Sequence, residues 1–78
     1  MRKHPALVKL GLRVRQLRDR SGVSQEELAH RADLDRTYVG GVERGERNVG
    51  ILNLLRLSAA LNVSASALLK GVSIGRVE

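Results

Sequence analysis

The sequence predicts an all-α fold, a compact five-helix domain that contains a helix-turn-helix. Apolar residues recur at helical spacing along most of the chain, and no long segment shows the period of two that is typical of a half-buried strand. Tyr38 is the only aromatic residue, although β-strands are usually rich in aromatic side chains. The length of 78 residues suits one domain, so we expect residues 1–78 to form a single unit.

The first two helices are marked by residues that typically begin and end a helix. Pro5 suits the first turn of a helix, and Gly22 suits the left-handed residue that follows its last turn. Ser24 is predicted to cap the second helix. Glu27, three residues later, is predicted to complete a capping box by bonding back to the Ser24 backbone.

The third helix is predicted to follow the second after a very short link. Asp35 is the expected N-cap and Gly45 the expected end, so residues 24–44 form the helix-turn-helix. Asp33 lies in the turn between the two helices. If its backbone is left-handed there, Asp tolerates that conformation better than most residues.

The fourth helix carries apolar residues on two faces. The predicted inner face consists of Ile51, Leu54, Leu57, Ser58 and Leu61, and Ser64 is expected to cap a short fifth helix. The second apolar stripe consists of Leu52, Leu55 and Ala59. A domain of this size has little depth in which to bury both faces, so we expect the stripe to form a dimer contact. The expected dimerisation region spans about 51–74 and includes Leu68, Leu69 and Val72.

Composition narrows the classes of function. Fourteen Lys and Arg against eight Asp and Glu give a net charge of +6. This charge favours a protein that binds nucleic acid over a basic protein that has no polyanionic partner. The absence of Cys excludes disulfides, and the two His have no further ligand at a recognisable spacing, so no metal or other cofactor is expected. Without a signal peptide or an apolar run of membrane-spanning length, a cytoplasmic protein is expected.

The order and spacing of three short segments resemble the lambda-repressor-like (XRE) helix-turn-helix family over about residues 7–69. The segments are Gln25-Glu26-Glu27-Leu28-Ala29, Leu34-Asp35-Arg36-Thr37-Tyr38-Val39 and Val42-Glu43-Arg44-Gly45. The run 34–48 is similar to the controller proteins of restriction–modification systems. The resemblance implies a homodimer that binds double-stranded operator DNA upstream of its own gene and activates, then represses, transcription.

Within such a fold, the start of the third helix enters the major groove. Arg36 and Thr37 are therefore the candidates for base contacts, since Arg bonds two acceptors of guanine and Thr offers a hydroxyl or a methyl group. The resemblance adds Arg47 as a third base contact. Contacts to the DNA backbone are expected from Gln25, Tyr38, Arg44 and Asn48. The alternative for each cation is a solvated surface residue, and for Tyr38 a purely structural role.

The resemblance also implies a structural ion pair between Arg18 and Glu43, which would orient the first helix against the third. No nucleophile–base pair is evident, and Ser24, Asp35 and Ser64 are explained as helix caps, so we expect no enzyme and no catalytic residue.

Several alternatives to a controller protein remain at the level of sequence. They are a phage-type or orphan XRE repressor, an antitoxin-like autoregulator and, outside DNA binding, a basic module that binds an acidic protein. For the regulator we expect an approximately palindromic operator, with the two recognition helices about 34 Å apart. RNA polymerase is a further candidate partner.

Overall fold

The computed structural model describes residues 3–75, in which five helices and no strand are present. The helices are α1 (Pro5–Ser21), α2 (Gln25–Ala32), α3 (Arg36–Glu43), α4 (Ile51–Ala60) and α5 (Ala65–Leu68). Within these residues, no helix has the length and apolar character needed to cross a bilayer. The predicted all-α class and helix order are confirmed.

The predicted helix ends are largely present. Pro5 stands in the first turn of α1, and Gly22 ends that helix with a left-handed φ of 71°. The Ser24 hydroxyl accepts a hydrogen bond from the Glu27 backbone N–H at 3.0 Å, and the Ser64 hydroxyl accepts one from Ala67 at 3.1 Å. These side chains satisfy amide groups that would otherwise lack a partner at the start of each helix.

Two details of the capping prediction are wrong. The Glu27 carboxylate does not bond back to Ser24 but pairs with Arg31 one turn later, at 3.2 Å, because an arginine four residues along the helix competes for it. Asp35 occupies the N-cap position of α3, but its side chain makes no capping hydrogen bond.

The link between α2 and α3 is a tight left-handed turn at Asp33, where φ is 57° and ψ is 47°. The Asp33 and Leu34 amides donate to the carbonyl groups of His30 and Ala29, so the end of α2 closes on itself before α3 begins. The expected helix-turn-helix is thus formed by α2 and α3. A second non-glycine residue, Asn62, has a φ of 57° after α4, which the sequence did not lead us to expect.

The core lies where all five helices meet. Its fully buried large side chains are Val14, Leu28, Val39, Val42, Leu57 and Leu68. Two predictions are corrected here. Leu68 was expected at the dimer contact, but it is 0% exposed because α5 turns it inward against the core. Ile51 was expected on the inner face of α4, but it is 65% exposed because it is the first residue of the helix and lies beyond the core.

Candidate DNA-binding surface

A buried ion pair joins α1 to the end of α3. The Arg18 guanidinium donates from Nε to one Glu43 carboxylate oxygen at 2.6 Å and from Nη2 to the other at 3.1 Å. Arg18 Nη1 also donates to the Val23 carbonyl at 3.0 Å, and the Glu43 side chain is 4% exposed. This bidentate geometry fixes both side chains, since a planar guanidinium matches a carboxylate in only a few orientations. The pair implied by the resemblance is therefore present.

The first residue of α2 joins the same ion pair. Gln25 Nε2 donates to Glu43 Oε1 at 2.9 Å, so one carboxylate connects α1, α2 and α3. The hydrogen bonds that Arg18 donates to Glu43 raise the pKa of Arg18 above its ordinary value. The Arg18 guanidinium therefore remains charged at every pH near neutrality. We call Arg18, Gln25 and Glu43 together the Glu43 triad.

A glycine that the sequence analysis did not single out sets the distance between α1 and α3. A Cβ atom at Gly11 would collide with the Val42 carbonyl oxygen and would lie 2.5 Å from that of Glu43. Only a residue without a side chain allows the two backbones to come this close. The sequence does mark this position, because a glycine in the middle of a helix costs about 1 kcal/mol relative to Ala and usually has a packing reason.

The start of α3 presents its polar side chains to solvent. Arg36 and Thr37 occupy the first two positions of the helix, and both are exposed. Within residues 3–75, no carboxylate lies within ion-pair distance of Arg36. The guanidinium of Arg36 and the hydroxyl of Thr37 thus extend from the first turn of α3. The last residue of α3, Glu43, is held in the Glu43 triad.

Tyr38 connects the exposed surface to the fold. Its ring is half-buried, its hydroxyl accepts a hydrogen bond from Asn53 Nδ2 on α4 at 3.2 Å, and the Arg47 guanidinium carbon lies 5.7 Å from the ring centroid. At this distance the cation is attracted to the ring face. Tyr38 therefore has a structural role here, and the structure leaves its predicted contact with a phosphate as a prediction.

The side chains of Arg44 and Arg47 lie across the glycines of α3. A Cβ at Gly40 would be 3.1 Å from Arg44 Nη1, and one at Gly41 would be 3.1 Å from Arg47 Nε. The Arg44 Nε also pairs with Glu46 at 3.1 Å. Gly40 and Gly41 therefore lie beneath flexible arginine side chains, while Arg44, Arg47 and Asn48 are all exposed.

The predicted dimer stripe lies on α4, and its apolar side chains face solvent. Leu52 is 67% and Leu55 45% exposed, Ala59 is also exposed, and Ile51 adds to the same end of the helix. Leu69 and Val72 are half-buried and pack partly against the core.

Within residues 3–75, no group of three His, Cys, Asp or Glu residues could hold a metal ion.

Comparison with known proteins identifies the family to which this chain belongs. A helix-turn-helix family model matches residues 14–68. The control protein C.BamHI of Bacillus amyloliquefaciens is 46% identical over 69 residues, which cover 87% of this chain and 85% of the relative.

Solved structures agree with that assignment. The restriction–modification controller protein C.AhdI from Aeromonas hydrophila superposes with a TM-score of 0.78 and 55% identity, over 80% of this chain and 94% of that one. The controller protein C.Esp1396I, solved as a tetramer with its natural 35 base-pair operator, gives a TM-score of 0.79 and 34% identity, over 87% of this chain and 90% of that one. The chain therefore belongs to the XRE-type helix-turn-helix family, among the controller proteins of restriction–modification systems, which are DNA-binding transcription regulators.

Proposed function

We propose that this protein regulates transcription by inserting the start of α3 into the major groove of an operator, where Arg36 and Thr37 contact base edges. The observation that carries the proposal is the combination of two exposed side chains at one end of α3 with the buried Glu43 triad at the other. A helix end held rigidly loses little freedom on binding, so more of its contact energy is expressed as affinity.

Contacts around α3 position the helix on the duplex. Gln25 stands at the start of α2, where free backbone amides favour a phosphate, and its side chain is already fixed by Glu43. Arg44, Asn48 and Tyr38 extend the phosphate contacts on the other side of α3. Arg47 lies against Tyr38 and is the candidate for a third base contact. Contacts to phosphate fix the register, whereas contacts to bases specify the sequence.

The active unit of the proposal is a two-fold dimer formed through α4. Leu52, Leu55 and Ala59 form an exposed apolar stripe that a second copy would cover, with Leu69 and Val72 at its margin and Ile51 added by the structure. A two-fold dimer presents two α3 helices about 34 Å apart, so its operator is an approximate palindrome.

The proposed activity is autoregulation in the cytoplasm. Two dimers on adjacent operators upstream of the protein's own gene would activate at the first site and repress at the second, and activation implies contact with RNA polymerase. No cofactor enters the proposal. The tetramer that C.Esp1396I forms on its operator supports the use of adjacent sites.

Binding to DNA upstream of the protein's own gene tests this function. The purified protein is titrated against that DNA and against a scrambled duplex of equal length and composition at about 150 mM salt, because lower salt inflates binding to any phosphate backbone. We expect the upstream DNA to bind at least about 1000-fold more tightly, in steps of one dimer. Equal affinity for both duplexes would contradict the proposal.

A further inference from the structure

A second basic surface lies outside the region that reads DNA. It is an open groove of about 730 Å³ between the outer side of α1 and the turn after α5. Five of the side chains that line it are cationic and one, Asp19, is anionic. We call it the α1/α5 groove. Its cations are Arg15, which pairs with Asp19, and Lys9, Arg13, Arg20 and Lys70.

The groove opens on the side of α1 opposite to α3. Gly11 and Arg18 face α3, through the close backbone contact and the ion pair. Lys9 and Arg20 lie about half a helical turn around α1 from those two residues. A duplex in contact with Arg36 would therefore leave the groove facing away from it.

The cations in the groove are placed so that a ligand can reach them. Arg13 is held by hydrogen bonds to the Ala67 carbonyl at 2.9 Å and to Gln16 at 3.2 Å. The Lys9 side chain lies across Gly71, where a Cβ would be 3.2 Å from Lys9 Cε. Within residues 3–75, no carboxylate lies within ion-pair distance of Lys9, Arg20 or Lys70. Cations without an acidic partner attract an anionic ligand.

The chemistry of the groove favours a protein segment over nucleic acid. Leu12 lies among the cations and is 57% exposed, which provides an apolar contact that a phosphate backbone cannot use. Tyr38 is the only Phe, Tyr or Trp of the chain, and neither it nor a histidine lines the groove, so the groove offers no ring on which an unpaired base could stack. Carboxylates beside an aliphatic side chain match both features.

We propose that the α1/α5 groove is a docking site for an acidic protein segment that carries a leucine-like residue between its carboxylates. The site is separate from the operator surface, so a bound regulator can hold DNA on one side and an acidic partner on the other. This inference does not depend on the operator contacts proposed above.

The test uses a labelled peptide of alternating Asp and Glu around one Leu, with an Asn and Gln version as the uncharged control. Binding is followed by fluorescence anisotropy and by amide chemical shifts of the full chain at about 150 mM salt. We expect the acidic peptide to bind, with shifts at Lys9, Arg13, Arg20 and Lys70. Lack of binding, or equal binding of the amide peptide, overturns the proposal.

Paired variants separate the groove from net charge. Lys9→Gln with Lys70→Gln should weaken the acidic peptide at least 5-fold and leave operator affinity within about 2-fold. The control Lys3→Gln with Arg31→Gln removes the same charge from exposed positions outside the groove and should leave the peptide unchanged. Equal weakening by both pairs, or displacement of the peptide from the groove by an oligothymidylate of equal charge, would contradict an acidic protein segment as the occupant.

Discussion

Two regions of the molecule differ in whether one chain buries them fully. They are the contact between α1 and α3, and the outer face of α4. At the first, backbones meet at Gly11 and the buried Arg18–Glu43 pair finds every partner within the chain. On the second, Leu52 and Leu55 remain 67% and 45% exposed after residues 3–75 have packed together. The orientation of α3 is thus set within one chain, whereas burial of the α4 stripe requires another molecule.

The largest expected effect is on the α4 stripe. Leu52→Glu with Leu55→Glu places four charges in the interface of the proposed dimer and removes four leucines from it, so we expect dimerisation to weaken by about 4 kcal/mol or more. Each protomer should keep its helical circular dichroism, because neither residue belongs to the core.

Sedimentation equilibrium checks this prediction, and Leu12→Glu provides the control, since Leu12 is a similarly exposed leucine on α1. A double variant that still sediments as a dimer would show that the stripe is not the interface. Loss of helical structure would show that the two regions are not independent.

The next effect is at the contact between α1 and α3. Gly11→Ala forces a Cβ against two carbonyl oxygens, so we expect the free energy of unfolding to fall by about 3 kcal/mol. Gly40→Ala is the matched control, because its Cβ would meet only the ends of two side chains, Arg44 Nη1 at 3.1 Å and Gln25 Oε1 at 3.6 Å, and no backbone atom. It should be neutral or stabilising by up to about 1 kcal/mol. Urea unfolding of both variants provides the measurement, and a stabilising Gly11→Ala would contradict the close approach.

Breaking the Glu43 triad should have a slightly smaller effect. Glu43→Ala leaves Arg18 and Gln25 without their shared acceptor, and we expect a loss of about 2–3 kcal/mol together with weaker operator binding. Glu27→Ala, which breaks an exposed pair, should cost less than about 0.5 kcal/mol.

The combination Arg18→Met with Glu43→Leu distinguishes stability from orientation. It should recover part of the unfolding free energy, because no buried charge is left unpaired. Recovery of operator affinity to the same extent would indicate that the triad is needed for stability alone and does not orient α3.

The smallest effect is expected at Arg36, the proposed operator contact. Arg36→Ala should leave the unfolding free energy unchanged, because the side chain is exposed, and should reduce discrimination at one base pair by about 1–3 kcal/mol. Competition binding with operators altered at single positions measures it, with Arg31→Ala as the control. Uniform weakening for every sequence would make Arg36 a phosphate contact.

Local sequence signals predicted the helix boundaries well, because caps and left-handed residues act over only a few positions. Ser24, Ser64, Gly22 and Gly45 stand where the sequence analysis expected them. The resemblance supplied the Arg18–Glu43 pair, which joins residues 25 positions apart and which helical periodicity alone does not predict.

The errors occurred where tertiary geometry overrides a local pattern. Helical periodicity placed Ile51 with the inner face of α4, but the pattern does not state where along the helix the core ends. The prediction of Leu68 at the interface is wrong because periodicity cannot assign a face to a helix of four residues. The role of Gly11 depends on the backbone of another helix, so the sequence marks the position only as an unusual glycine.

The half-buried ring of Tyr38 gives the protein a built-in optical label. With no Trp and one Tyr in the chain, near-ultraviolet absorbance and emission arise from this single side chain. Its hydroxyl contacts α4 and its face contacts Arg47, so the ring touches both the helix of the apolar stripe and the loop beside the recognition helix. Changes of environment at either place can therefore be followed in the unmodified protein by the emission of one phenol.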